Sequence, residues 1–215
     1  MSHHVDLATL RRDYQAAGLS AAGLPAEPVD LWQAWLADAT EADLPEVNAM
    51  VVSTVDPDGA PSSRTVLCKG ADREGFVFYT NYESRKGIAI AHEARVSLLF
   101  PWHALARQVI VSGRAARLSR EESTAYFASR PRGAQVSALA SAQSSVIGSR
   151  DVLDERVAEI SARYAGSDVP CPPNWGGYRV RPDTVEFWQG RHDRLHDRLR
   201  YACDRDGWRI ERLSP

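Results

Sequence analysis

The sequence predicts a mainly β, α+β protein: an antiparallel barrel, closed or split, with helices packed around it. Three observations carry this. Segments of strand period fall in two groups, from Ala49 to Leu118 and from Gly177 to Arg212, with helical segments before and between the groups. Asp56-Pro57-Asp58-Gly59 and Asp206-Gly207 sit between consecutive extended runs, where hairpins turn. The chain has no G-x-G-x-x-G and lacks the regular strand–helix alternation of a parallel sheet.

In chain order, residues 6–17 set Leu7, Leu10 and Tyr14 at helical spacing, with Arg11 three residues before Tyr14 and Gly18 as a stop. Pro25 and Pro28 mark a loop. A second helix is expected from Asp30, an N-cap residue, burying Leu31, Trp32, Trp35, Leu36 and Ala39 as one core stripe. At Ala49 the period changes. Met50–Val55 and Ser62–Lys69 read as antiparallel partners, and Phe76–Thr80 as a third strand. A short helix is expected over Gly87–His92, and the apolar run Val96–Phe100 suits a buried strand. Gln108–Ser112 and Arg114–Leu118 form one long strand, bulged at Gly113.

Ser119-Arg120-Glu121-Glu122 is a capping box, so a helix starts there. It stops near Arg130, because Pro131 disfavours a helical conformation in the residue before it. Tyr126 and Arg130, four apart, share a face of that helix. Gly133–Ala142 reads as a second short helix. Ser149 caps a third, with Leu153, Val157, Ile160 and Tyr164 as its buried stripe. A proline-rich loop, Asp168–Asn174, leads to four strands: Gly177–Val180, Thr184–Trp188, Arg194–Ala202 and Trp208–Arg212.

The 215 residues suffice for one domain with a helical extension and a substantial core. A net charge of −2 speaks against a nucleic-acid partner. No apolar run approaches the roughly 18 residues of a membrane span, and no signal-peptide core is present, so no membrane partner is expected. Cys68, Cys171 and Cys203 form no CxxC pair and no metal spacing, which points to a reduced, cytoplasmic setting without a metal centre.

Common catalytic motifs are missing: H-E-x-x-H, G-x-S-x-G, a Walker loop, paired carboxylates. The polar clusters are cationic and aromatic: Arg64 with Lys69; Ser84, Arg85 and Lys86; Tyr126 with Arg130; Arg194, His196 and Arg198. Lys69 and Lys86 are the chain's two lysines, and lysine is a compact phosphate binder. On a regular strand Arg194, His196 and Arg198 would share a face and repel one another unless an anion sat opposite. These clusters together suggest two or more anionic ligands, phosphates first. Arg64 and Lys69 are five apart and would point to opposite faces. Either the strand ends or bulges between them, or two ligands are served.

The stretches R-T-V-L-C-K (64–69), F-Y-T-N (78–81), S-R-K (84–86), S-L-L-F-P-W (97–102), R-Q-V (107–109), Y-F-A-S-R-P-R (126–132) and Q-S-S (143–145) make the chain resemble the pyridoxine (pyridoxamine) 5′-phosphate oxidases. The likeness continues in W-G-G-Y-R (175–179), V-E-F-W-Q-G (185–190), R-L-H-D-R (194–198) and the terminal E-R-L-S-P.

The resemblance implies an FMN-binding split β-barrel over residues 46–215, with residues 1–45 as a helical extension able to fold over the active site. It implies FMN binding by Arg64, Val66, Leu67, Lys69, Tyr79, Thr80, Arg85, Lys86, Gln108, Gln143, Ser144, Trp188 and Arg198. Arg85 and Lys86 would grip the FMN phosphate, with Ser84 adding a hydroxyl. Substrate binding falls to Lys69, Tyr126, Arg130, Arg194 and His196, the first three on the substrate phosphate. Arg11 and Tyr14 match the N-terminal residues that cover the site, and Arg194 and His196 orient the substrate as the catalytic pair. Ala134 stands where many members carry a serine that binds phosphate. The implied reaction oxidises pyridoxamine or pyridoxine 5′-phosphate with O2 and releases H2O2, in a homodimer. The rival readings are a split-barrel flavoprotein with another substrate, such as a flavin reductase, and a nucleic-acid-binding barrel without catalysis.

Overall fold

The computed structural model describes Tyr14 and residues 18–215; apart from Tyr14, the helix expected over 6–17 lies outside them, and so does Arg11. The elements run α1 (Pro28–Glu41), β1 (Ala49–Val55), β2 (Pro61–Leu67), β3 (Gly70–Asp72), β4 (Gly75–Asn81), α2 (Arg85–His92), β5 (Arg95–Trp102) and β6 (Arg107–Arg117). They continue with α3 (Arg120–Ser129), α4 (Arg132–Ala140), α5 (Arg150–Arg163), β7 (Trp175–Gln189), β8 (Asp197–Asp204) and β9 (Gly207–Leu213). The chain divides into two compact units. One joins the residues up to Val47 with Phe100–Ile110 and Thr184–Pro215; the other joins Asn48–Leu99 with Val111–Asp183.

The second unit is built on strands in the order β2-β1-β5-β6-β7-β4-β3. Its β1–β2 hairpin turns at Asp56–Gly59 as expected, pairing Val55 with Pro61. Gly59, at φ 86°, takes the left-handed conformation that a glycine adopts without strain. The second half of β4 pairs antiparallel with the start of β7, Asn81 opposite Trp175. Ser119 and Glu122 close the capping box of α3, each side chain bonding the other's backbone N–H. A cluster of Phe127, Val136, Val169 and Trp175 packs α3 and α4 together, with Val157, Ile160 and Tyr164 of α5 half-buried against it.

In the first unit α1 begins at Pro28, two residues before the expected cap, and Asp30 lies in its first turn. Leu31, Trp32, Trp35 and Ala39 are buried and Leu36 half-buried. Trp35 meets Phe187 edge-on at 5.2 Å, and the Arg107 guanidinium lies 4.6 Å from the centre of the Trp35 rings. The latter half of β7 pairs with β8, and β8 with β9 through the expected turn at Asp206-Gly207.

Three expectations change. Gly177–Val180 and Thr184–Trp188 belong to one strand, β7, which continues through Pro182. Its ladder to β4 ends at Val180 and that to β8 starts at Thr184, so the missing N–H of Pro182 breaks neither. The long strand β6 is continuous through Gly113. Its glycine is required by proximity, since a Cβ there would lie 2.1 Å from the Arg181 carbonyl oxygen. The third change is at the C-terminus, where β8 starts only at Asp197.

Gly113→Ala forces β6 and β7 apart at a backbone atom that cannot rotate away. Urea unfolding is expected to show a loss of about 1–3 kcal/mol, the range for overpacking, where a surface strand glycine would cost little.

Candidate active site

A cavity of about 680 Å³ opens in the second unit, within the range for small-molecule sites. Val66, Leu67 and Lys69 of its wall follow from β2, which ends at Leu67. The strand thus ends between Arg64 and Lys69, and Lys69 lies beyond it at the cavity. Tyr79 and Thr80 come from β4, Lys86 from the first turn of α2, and Tyr126 and Arg130 from α3 and its C-cap. Gln143 reaches in from the loop after α4. Every one of these was legible in the sequence. Thr65, Trp175, Ser137 and Ala134 also line the cavity. Apart from Ala134 these were missed, since only the pairing of distant segments puts them there.

The Lys86 ammonium is buried, at 8% exposure for the residue. It donates to Thr80 Oγ1 at 3.2 Å and Gln143 Oε1 at 3.3 Å. Burial, and secondly the charge of Arg64, hold its pKa below the usual lysine value. Arg130 lies 4.8 Å over the Trp175 rings, and its Nη1 is buried without a hydrogen-bond acceptor. Burial likewise lowers its pKa. Tyr79 and Tyr126 stack at 3.8 Å with rings 15° from parallel, and Tyr79 stacks on Trp175 at 5.5 Å. Burial raises the pKa of both phenols, so both remain donors at neutral pH. Among the described residues Lys69, Lys86 and Arg130 are ion-paired with no carboxylate. Three cations, one with an orphaned N–H, face one cavity. Burying such groups is costly until an anion completes them.

Other expected residues sit differently. Ser84 is fully buried; its hydroxyl donates to the Asn81 carbonyl at 2.7 Å and accepts from Gly87 N–H at 3.3 Å. It is the N-cap of α2, and its O–H proton is committed to the Asn81 carbonyl. Arg85 pairs with Asp56 at 2.5 Å and lines a neighbouring cavity with Gln143 and Ser144. Arg85 and Lys86 therefore face different cavities, as successive helical residues do. The Asp56 carboxyl is held below its ordinary pKa chiefly by Arg85. Arg64 spends its guanidinium on Thr54 and Ser62 side chains and the Val52 and Ser62 carbonyls. It is within electrostatic reach of Lys86 without lining that cavity.

Gln108, Trp188, Arg194, His196 and Arg198 belong to the first unit. The expected common strand face for Arg194, His196 and Arg198 is not formed. His192–Arg194 is a 3₁₀ turn, with Asp193 and Arg194 both left-handed at φ 54° and 61°. The chain bends before it can extend, and Arg198 alone of the three lies on β8. Arg198 is ion-paired with Glu186, Nε to Oε1 at 2.7 Å, so a carboxylate on β7 offsets its charge. His196 Nδ1 accepts the Arg191 backbone N–H at 3.1 Å, which leaves Nε2 of the neutral ring as a hydrogen-bond donor. Its ring lies 4.7 Å from Trp188 and 5.9 Å from Tyr14.

An antiparallel sheet with flanking helices, carrying a cavity walled by cations and stacked aromatics, defines a protein of the split-barrel class. Comparison with known proteins gives the family. Residues 36–164 match the profile described as Pyridoxamine 5′-phosphate oxidase, and residues 175–215 that of the Pyridoxine 5′-phosphate oxidase C-terminal dimerisation region. The pyridoxine/pyridoxamine 5′-phosphate oxidase of Streptomyces avermitilis is 56% identical, over 98% of this chain and 96% of that protein. That of Aeromonas hydrophila is 53% identical, over 98% of this chain and its own full length. The chain belongs to the pyridoxine/pyridoxamine 5′-phosphate oxidase family and is an oxidase of that family. Among solved structures, PhzG from Burkholderia lata, in complex with tetrahydrophenazine-1-carboxylic acid, is 35% identical with a TM-score of 0.85, over 90% of this chain and 95% of that one. A pyridoxamine 5′-phosphate oxidase-related, FMN-binding protein of Nostoc punctiforme shares the fold, at 17% identity over 86% of this chain and 97% of that one, with a TM-score of 0.69.

Because its pKa is lowered by folding, charged Lys86 opposes folding of the ligand-free protein. That opposition is full below the folded pKa and fades as the pH rises towards the ordinary lysine value of 10.5. Lys86→Met keeps the apolar stem and removes the charge. It is expected to leave ligand-free stability unchanged or raised near pH 7, and to abolish the alkaline gain. Urea unfolding of both proteins from pH 7 to 10 measures it.

Proposed function

We propose that the protein is an FMN-dependent, cytoplasmic, homodimeric pyridoxal 5′-phosphate synthase, oxidising pyridoxamine or pyridoxine 5′-phosphate with O2 as acceptor and H2O2 as product. The observation that carries this reading is the cavity of Lys69, Lys86 and Arg130, three cations without carboxylate partners beside a stacked aromatic wall. FMN and a phosphorylated substrate would supply the missing anions. The dimerisation profile at the C-terminus supports the homodimer.

The residues present fit FMN. Lys86, Arg64 and the first turn of α2 offer its phosphate a cation, a second positive charge and free N–H groups. Thr80, Gln143, Val66 and Leu67 line the same wall; Ser144, Gln108, Trp188 and Arg198 complete the set by family resemblance. When bound, FMN supplies the hydride acceptor and the route to O2. Lys69, Tyr126 and Arg130 hold the substrate phosphate, so the orphaned Arg130 Nη1 gains its acceptor. Ala134 lines that wall without a polar group to add. Arg194 and His196, the latter donating from Nε2, orient the substrate ring, with Tyr14 and Arg11 covering it. No proton transfer by a strong acid–base pair is assigned to them; the protein's share is positioning and electrostatics.

PhzG, in complex with tetrahydrophenazine-1-carboxylic acid, carries a second class of ligand on this fold. Curated relatives at 52–56% identity favour the phosphorylated vitamin over it. An oxidase assay with both phosphates, reading H2O2, tests the proposal. Arg194→Ala is expected to stay yellow while kcat/KM falls roughly ten- to a hundred-fold, the loss of one charge-assisted contact. A wild-type protein that is colourless, or oxidises neither substrate, would refute it.

A further inference from the structure

The motif R-L-H-D-R contains an aspartate with no part in the reaction so far. Asp197 is a junction of three groups. Its Oδ2 accepts the backbone N–H of Leu19 at 3.0 Å and lies 3.9 Å from Arg191 Nη1. Its Oδ1 accepts from Arg212 Nη1 at 2.5 Å. Arg212 Nη2 donates in turn to the Leu19 carbonyl at 2.9 Å. One residue, Leu19, 178 positions from Asp197 in sequence, is thus held at its N–H by a carboxylate and at its C=O by a guanidinium, across two successive peptide groups. Further along that segment, Tyr201 donates its hydroxyl to the Pro25 carbonyl at 2.9 Å.

A Cβ on Gly18 would lie 2.3 Å from Arg191 Nη1 and 3.3 Å from Asp197 Oδ2. Five residues before Leu19, Tyr14 meets Trp188 and His196 edge-on, each at 5.9 Å between ring centres. A Cβ on Gly190 would come within 2.7 Å of Tyr14 Cγ. Asp197 of β8 and Arg212 of β9 hold Leu19 at two points. Asp197 directly follows His196 in the chain, so one short segment carries both the substrate-orienting ring and the anchor of the residue beside it.

We propose that Asp197 is a positioning residue: with Arg212 it clamps the backbone of Leu19 and so holds Tyr14 against His196 and Trp188. The proposal rests on the reading of Tyr14 and His196 as substrate-binding residues. It does not require Asp197 to touch substrate.

The test uses flavin-loaded wild type, Asp197→Ala, Asp197→Asn, Tyr14→Ala and the double variant Asp197→Ala/Tyr14→Ala. In Asp197→Ala, KM for pyridoxine 5′-phosphate is expected to rise roughly five- to ten-fold, as for an ordinary hydrogen bond lost. Bound-flavin absorbance should stay unchanged. Asp197→Asn keeps an oxygen for the Leu19 N–H and should recover most of the KM. The double variant should be no worse than Tyr14→Ala alone, since the anchor and the anchored residue act as one unit. Additive effects, or a wild-type KM in Asp197→Ala, would overturn the proposal. Arg212→Ala, which frees the same residue on its carbonyl side, repeats the test should Asp197→Ala fail to fold. Hydrogen exchange at the Leu19 amide reads the clamp without substrate; faster exchange in Asp197→Ala supports it, and unchanged protection overturns it. Were the wild type to oxidise neither substrate, the functional reading would fail while the exchange measurement still decided the clamp.

Discussion

A lysine ammonium withdrawn from water needs an anion or several strong acceptors. Lys86 has a hydroxyl and an amide oxygen, and the fold keeps it there. Ser84 caps α2 and sets its first turn, which fixes where Lys86 emerges. Gly87 lets that turn approach the chain so closely that a Cβ would lie 2.2 Å from the Tyr82 carbonyl oxygen. Thr80 presents its hydroxyl from β4, whose pairing with β7 carries Trp175 to the same wall. An unfavourable charge is therefore held by favourable packing around it, the arrangement expected of a preorganised anion site.

Arg130 repeats the logic at the other side of the cavity. Pro131 ends α3, so the guanidinium leaves the helix at its C-cap and lies over Trp175. The flat ring supports the cation without neutralising it. Elsewhere the chain pairs its arginines with carboxylates: Arg85 with Asp56, Arg198 with Glu186, Arg179 with Asp72.

Much of this was legible from sequence because it is locally encoded. The turn at Asp56–Gly59, the capping box at Ser119 and the stop at Pro131 depend on neighbours a few residues away, and all three occur as read. The isolated lysines and the Tyr126–Arg130 face led to one cavity. What the sequence did not reveal depended on distant partners or on backbone conformation. Arg85 meets a carboxylate 29 residues earlier. Ser84 spends its hydroxyl on its own helix. The alternation of Arg194, His196 and Arg198 suggested a strand, yet two left-handed residues turn the chain there.

The account stands on the cavity being built for a phosphate, and comparing FMN with riboflavin on flavin-free protein measures that most directly. The two share a ring system and differ in the phosphate. FMN is expected to bind at least about ten- to a hundred-fold more tightly, the worth of one charge-assisted contact, with the difference shrinking as salt is added. Equal affinities for the two flavins would contradict the account.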